Sequence, residues 1–267
     1  MAVTDVDVSL AALEQAVAIV QAGRGRPLIH LGKGGADFAT EVDVTTEQAI
    51  VAVLHRERPG DAVQGEESGL SGPAGAARTW YVDPLCGTLN YASGGSAYAI
   101  NIALTRDDDV VAAVVAEPAT GATYVTDGRT AWVRRNRSDT PLAPSPSSAL
   151  VEVHLDTADP DESGFSSSRF LRSSTFATLS PRYLATSLPL AWVASGQRAG
   201  FVIPGHRGAS VHFTAGIGLC RAAGCVLSDL RGQPLHLAND GIVVAADATT
   251  HALLLAGIRE QRTSLPH

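Results

Sequence analysis

Cysteine is scarce in this chain: three residues in 267, at Cys86, Cys220 and Cys225. So sparse and odd a set excludes a disulfide framework. Cys220, in an apolar helical pattern, and Cys225, in an expected strand just after it, read as core residues. No apolar run is expected to reach the ~18 residues that a membrane span needs, so no membrane partner is expected. The start, Met1-Ala2-Val3-Thr4-Asp5, has neither a basic nor an apolar signal region, and a cytoplasmic location is expected. A basic stripe is also missing. With 20 Lys+Arg against 27 Asp+Glu the net charge is −7, which argues against nucleic acid as a main partner. Gly32-Lys33-Gly34-Gly35 lacks the spacing of a phosphate-binding P-loop, and no repeat of fixed period appears.

What is present is ordinary for a soluble enzyme: 45% hydrophobic and 18% charged residues, in a chain long enough to bury a sizeable core. The composition, rich in Ala, Gly, Val and Arg with a single Met, has a bacterial look. Leu10, Leu13, Val17 and Val20 share a face in a helix expected over 9–22. Residues 31–43 read as a loop, and Thr45 with Gln48 as the capping box of a second helix ending near Arg58. Strands are expected up to Glu66, at 80–82, 97–105, 110–117, 123–126 and 131–135, with Asp107-Asp108-Asp109 as a solvated turn. The Pro/Ser-rich stretch 138–148 marks a boundary between halves 1–145 and 146–267. Beyond it, strands are expected at 150–155, 200–203, 225–229 and 242–245. Helices are expected from 159 to 172, at 182–195 with a kink at Pro189, at 212–223 and at 247–259.

The most informative stretch is Trp80-Tyr81-Val82-Asp83-Pro84-Leu85-Cys86-Gly87-Thr88-Leu89-Asn90. Its aromatic and β-branched start suits a buried strand, which Pro84 is expected to stop just after Asp83. Gly87-Thr88 then opens a turn into a short helix. A carboxylate at a strand end can hold a hard cation, and free N–H groups at a helix start can hold a phosphate. Gly65-Glu66-Glu67-Ser68, upstream, adds a second acidic turn.

Together these stretches resemble the inositol monophosphatase family, which carries a Gly-Glu-Glu turn, an Asp-Pro-(Ile/Leu)-Asp-Gly-Thr-x-Asn motif and a later Trp-Asp-x-Ala-Ala-Gly. Asp37-Phe38-Ala39-Thr40-Glu41-Val42-Asp43, Leu190 to Gly196 and Arg221 to Asp229 extend the resemblance over nearly the whole chain. Two positions depart from it. Cys86 stands where the middle motif has its second Asp, and His212, in Val211-His212-Phe213-Thr214-Ala215-Gly216, stands for the Asp of the last.

The resemblance implies a layered αβαβα sandwich, with an antiparallel N-terminal sheet, a smaller mixed C-terminal sheet, an active site between the halves and a homodimer. It implies a Mg²⁺-dependent phosphomonoesterase acting on a small polyol, sugar or phosphorylated metabolite, with no organic cofactor. Glu66, Asp83 and the Leu85 carbonyl match its first metal site. Thr88 and Asp43 match the pair that orients the attacking water, and the Gly87 and Thr88 amides match its phosphate cradle. In the family, the loop matching the one that carries His206 and Arg207 approaches substrate, so the resemblance makes these two candidate substrate contacts. The second Mg²⁺ site would need carboxylates at 86 and 212. A thiol and an imidazole are poor Mg²⁺ ligands, so reduced or absent Mg²⁺ is expected there.

Three readings follow. Cys86 and His212 can form an acid/base or nucleophilic pair in a repurposed lyase, cyclase, isomerase or transferase, which is the leading expectation. Phosphatase activity can persist with one Mg²⁺, or with Zn²⁺ held by Asp83, Cys86 and His212. Or the site is inactive, and the chain binds a ligand or regulates a homologue.

Overall fold

The computed structural model describes residues 3–26, 30–34, 37–155, 164–206, 210–235 and 240–263. The chain divides into two compact units. One comprises Met1–Pro141, Thr186–Leu188 and Ser210–Leu219; the other holds the remainder.

In the first unit, α1 (Asp5–Gly23) starts four residues earlier than the periodicity predicts. Thr4 and Asp7 close a reciprocal capping box, with Asp7 N–H donating to Thr4 Oγ1 (3.1 Å) and Thr4 N–H to Asp7 Oδ2 (2.9 Å). Contrary to the sequence expectation, α1 is long and apolar enough to cross a membrane by length and composition. It instead buries Val8, Ala12, Leu13, Ala16 and Val20 in the core of this unit. The stretch expected as a loop forms an antiparallel pair of strands, β1 (His30–Gly34) and β2 (Asp37–Thr40). Helix α2 (Glu41–Glu57) is capped by Thr40 with Asp43 rather than by Thr45 with Gln48, so Thr46 and Glu47 lie buried within it.

The strands β3 (Ala62–Gly65), β4 (Gly69–Ser71), β5 (Arg78–Cys86), β6 (Ala99–Arg106), β7 (Asp109–Glu117), β8 (Ala122–Thr126), β9 (Ala131–Arg135) and β10 (Ser138–Pro141) form one sheet in the order β10-β9-β8-β7-β6-β5-β3-β4. Every pairing is antiparallel except that of β3 with β5, so the sheet is mixed at that one junction. Pro84 does not stop β5. The register with β6 shifts between Asp83 and Cys86, and pairing resumes at Cys86 with Ala99, so the missing N–H falls in a bulge. Asp107 and Asp108 take left-handed φ values of 50° and 65° between paired Arg106 and Asp109, a tight hairpin turn as expected. Helices α1 and α2 cover this sheet, and fully buried Trp80 donates its indole N–H to Asp61 (2.9 Å). The short helix α3 (Thr88–Ala92) follows β5.

The second unit is built on a five-stranded sheet of β11 (Leu150–Val153), β12 (Ser180–Tyr183), β13 (Gly200–His206), β14 (Val226–Ser228) and β15 (Asp240–Ala245), in the order β12-β11-β13-β15-β14. β11 runs parallel to β12 and β13, and the other pairs are antiparallel, giving the expected mixed sheet. Of the helix expected over 159–172, the described part contains only α4 (Ser167–Phe170). The expected kinked helix over 182–195 is strand β12 followed by α5 (Leu188–Ala194). Pro189 is the second residue of α5, where its missing N–H costs no helical bond. Helix α6 (Thr214–Ala223), whose residues up to Leu219 belong to the first unit, starts two residues after His212, and α7 (Ala248–Thr263) of the second unit packs on β15 and α4.

Candidate active site at the end of β5

The parallel register of β3 and β5 sets Gly65 against Val82, so Glu66, the first residue past β3, follows Gly65 as Asp83 follows Val82 within β5. Glu66 N–H donates to the Val82 carbonyl (3.1 Å), which holds the start of the turn to β5. Glu47 holds the rest: it accepts from the N–H groups of Glu67 (2.8 Å) and Ser68 (2.7 Å). A Cβ on Gly65 would lie 2.5 Å from Glu47 Oε1, so only glycine admits this clamp. Sequence reading passed over Glu47. The signal available was a carboxylate at helical spacing from Ile50 and Leu54, on the apolar face, where it needs a buried partner.

The capping box of α2 places Asp43. Its Oδ2 accepts from Thr40 N–H (2.8 Å) and Thr40 Oγ1 (2.5 Å), which leaves Oδ1 for Thr88 Oγ1 at 3.0 Å. Thr88 Oγ1 also lies 3.1 Å from the Leu85 carbonyl, and its single hydrogen serves one acceptor at a time. Burial is the main influence on Asp43 and raises its carboxyl above the ordinary range, while the Thr40 and Thr88 hydrogen bonds hold the rise back. Gly87 sits in the left-handed region (φ 97°) as the N-cap of α3, a conformation that glycine allows at little cost. The Gly87 and Thr88 amides therefore stand at a helix start, with no acceptor within the helix.

Asp83 is fully buried. Leu85 N–H donates to its Oδ1 (3.1 Å), and its Oδ2 lies 2.7 Å from His212 Nδ1. Cys86 completes the group: the ligand atoms of Asp83, Cys86 and His212 all lie within 4.8 Å of one another. The pairing expected from the sequence between positions 86 and 212 is thus present in space. The Cys86 sulfur accepts from Ser187 N–H (3.2 Å) and interacts with His212. Ser187 Oγ lies 2.9 Å from Asn101 Nδ2 and 3.2 Å from Asn101 Oδ1, and Thr186 Oγ1 donates to the Cys86 carbonyl (3.2 Å). These three supports, at 101, 186 and 187, are silent in sequence.

Burial pushes the Cys86 thiol up, Asp83 adds to that, and the contacts with His212 and Ser187 oppose it, a balance that disfavours the thiolate. Burial acts against charge on His212. The neighbouring Asp83 carboxylate and its hydrogen bond outweigh burial and raise the imidazole well above its ordinary value. The His212 side chain is 41% exposed. The backbone of His206 lies in β13, opposite Asp240. The His206 side chain and Arg207 lie outside the described residues.

Glu66, Asp83 and the Leu85 carbonyl, the set that the family resemblance assigns to a first cation, carry oxygen donors of the kind Mg²⁺ prefers. Asp83, Cys86 and His212 offer oxygen, sulfur and nitrogen, which does not fit Mg²⁺ and fits Zn²⁺.

A model of the inositol monophosphatase family matches residues 2–263 of the chain. The inositol-1-monophosphatase ImpA of Mycolicibacterium smegmatis is 34% identical over 228 residues, covering 83% of this chain and 80% of that protein. The probable inositol 1-monophosphatase ImpA of Mycobacterium tuberculosis is 33% identical over 255 residues, covering 91% and 92%. The solved structure of the extragenic suppressor protein SuhB of Bartonella henselae superposes with a TM-score of 0.84 at 23% identity, covering 95% of this chain and 98% of that one. The fold is the α/β sandwich of these proteins, and the chain belongs to the inositol monophosphatase family.

Proposed function

We propose that this protein hydrolyses a phosphomonoester of a small polyol, sugar or cyclitol, with a cation site rebuilt around Asp83, Cys86 and His212. The observation that carries the reading is the hydrogen bond from Thr88 Oγ1 to Asp43 Oδ1 at 3.0 Å. When Thr88 gives its hydrogen to Asp43, its lone pairs accept from a water, and the water's proton passes through Oγ1 to the carboxylate. The Gly87 and Thr88 amides hold phosphoryl oxygens. Glu66, Asp83 and the Leu85 carbonyl would hold a divalent cation, which when bound polarises the phosphoryl group. The names of the relatives, which span most of their length and of this chain, support hydrolysis over lyase or isomerase chemistry.

The test joins metal analysis of the purified protein to phosphate release from a panel of sugar and cyclitol phosphates, with Mg²⁺ or Zn²⁺ supplied. Metal-dependent release is expected. No bound metal and no release with either ion would overturn the reading.

A second reading rests on the hydrogen-bonded row Asp83–His212–Cys86, which can serve as an acid/base couple in lyase, cyclase, isomerase or transfer chemistry on a small metabolite. Its distinguishing mark is turnover that survives a chelator and is lost in Cys86→Ala. Burial, which pushes the Cys86 thiol up, favours an acid role over a nucleophilic one.

A further inference from the structure

Buried polar atoms without a partner are uncommon in folded proteins, because each forfeits its hydrogen bond to water. Six such side-chain atoms occur among the described residues, and three of them belong to residues lining one cavity: Arg169 Nη1, Ser173 Oγ and Gln261 Nε2. The cavity lies wholly within the second unit, measures about 350 Å³ and is completed by Arg172 and Glu260. Its position has no part in the phosphatase reading.

The free atoms are held in place. Ser166 N–H donates to Gln261 Oε1 (3.1 Å), which fixes the amide and leaves Nε2 as a donor. Gln261 is 2% exposed and Ser173 is 6% exposed, so neither side chain is freely solvated. A Cβ on Gly257 of α7 would lie 2.6 Å from Ser173 Oγ, so the bare glycine lets the hydroxyl sit there. The Glu260 carboxylate is turned to Ser174, accepting from its N–H (3.0 Å) and its hydroxyl (2.8 Å). Arg169 supplies a cationic donor and exposed Arg172 a second positive charge, so two guanidinium groups stand against one engaged carboxylate.

We propose that this cavity is a binding site for the oxyanion group of a small molecule, a phosphate or a carboxylate. A guanidinium N–H, an amide N–H and a hydroxyl are donors suited to anionic oxygens. The volume exceeds that of a bare anion and falls at the small end of ligand pockets, about 300–1,000 Å³.

The test uses the full chain. Thermal unfolding is followed with inorganic phosphate and, separately, with succinate, each against sodium chloride of equal ionic strength. Tm is expected to rise with the concentration of at least one of them, and the one that acts separates phosphate from carboxylate recognition. The rise should disappear in Arg169→Met, shrink in Ser173→Ala and persist in Asp83→Asn, which alters only the site at β5. By calorimetric titration, Arg169→Met should weaken affinity about tenfold or more, the scale of one charge-assisted hydrogen bond. Ser173→Ala removes a single oxygen, so it reads the site even where Arg169→Met unfolds. No rise above chloride, or a rise that does not depend on Arg169 and Ser173, overturns the proposal.

Discussion

His212 Nδ1 lies 2.7 Å from Asp83 Oδ2, across 129 positions of sequence. The carboxylate that the family resemblance assigns to metal binding is therefore already paired with a side chain of its own protein. In the resemblance, position 212 is a carboxylate that would share a cation with Asp83; here it is an imidazole that bonds to Asp83 directly.

Restoring both carboxylates tests what that exchange changed. Cys86→Asp with His212→Asp rebuilds an all-oxygen set around Asp83, which Mg²⁺ prefers. Mg²⁺-dependent phosphate release is expected to rise by at least about tenfold, equivalent to about 1.4 kcal/mol in the barrier. A Mg²⁺ titration of activity reads it. An unchanged rate would place the limiting difference outside these two residues.

Glu47 should prove to be a positioning residue for Glu66. Glu47→Ala strips two backbone N–H groups of their acceptor, at Glu67 and Ser68. A loss of about 1–3 kcal/mol in stability is expected in denaturant unfolding. Glu47→Gln, which keeps one acceptor oxygen, should recover part of it. If the turn matters to the cation site, the metal concentration for half-maximal activity rises in Glu47→Ala, and a purely structural role would leave it unmoved.

The ionic cluster at the start of β5 carries a larger stability effect. Asp61 is 6% exposed, takes both Nε (2.9 Å) and Nη2 (2.7 Å) of Arg78 and also accepts from Trp80. Asp61→Ala leaves a partly buried guanidinium and a buried indole N–H short of an acceptor. We expect a loss of about 3 kcal/mol by urea unfolding. Asp5, which also pairs with Arg78 but has a side chain 26% exposed, should cost less than Asp61 when replaced by Ala.

His251 gives a pH dependence with a fixed sign. Ser228 Oγ spends its hydrogen on the Asp229 carbonyl, so the His251 Nε2–H donates to Ser228 (2.8 Å). Burial lowers the His251 pKa below its unfolded value, near 6.5. The unfolded chain then binds the proton more readily. The contribution of His251 to stability is fully present above about pH 6.5 and is lost as pH falls toward the folded pKa. Tm of the wild type should drop between pH 7.5 and 5.5 by more than that of His251→Gln. Equal drops would show that the fall arises from other groups.

Much of the fold is legible in sequence because strands and helices write their period into it. Trp80 to Val82, the meander over 97–135 and the acidic turn at 107–109 follow from apolar patterning and turn chemistry. Helix starts read less well. Thr40 with Asp43 and Thr45 with Gln48 are similar as spacings, and the buried hydrogen bonds of Asp43 decide between them. Pro84 reads as a strand end, yet a bulge carries β5 past it to Cys86.

The sequence by itself determined the local half of the site. Asp83, Leu85, Gly87 and Thr88 lie within six residues, so peptide geometry alone keeps them together. Their motif, read with Gly65-Glu66-Glu67, carries the family. What only the tertiary structure decided are the partners from elsewhere in the chain: Glu47 under the acidic turn, Ser187 and Asn101 behind Cys86, and His212 against Asp83. These contacts depend on sheet register and on segments that return after 20 residues, as with Glu47, or after more than a hundred, as with Ser187 and His212. Apart from the placement of Glu47 on an apolar helix face, no local pattern encodes them, because their energy is gained only when the core has already brought the segments together.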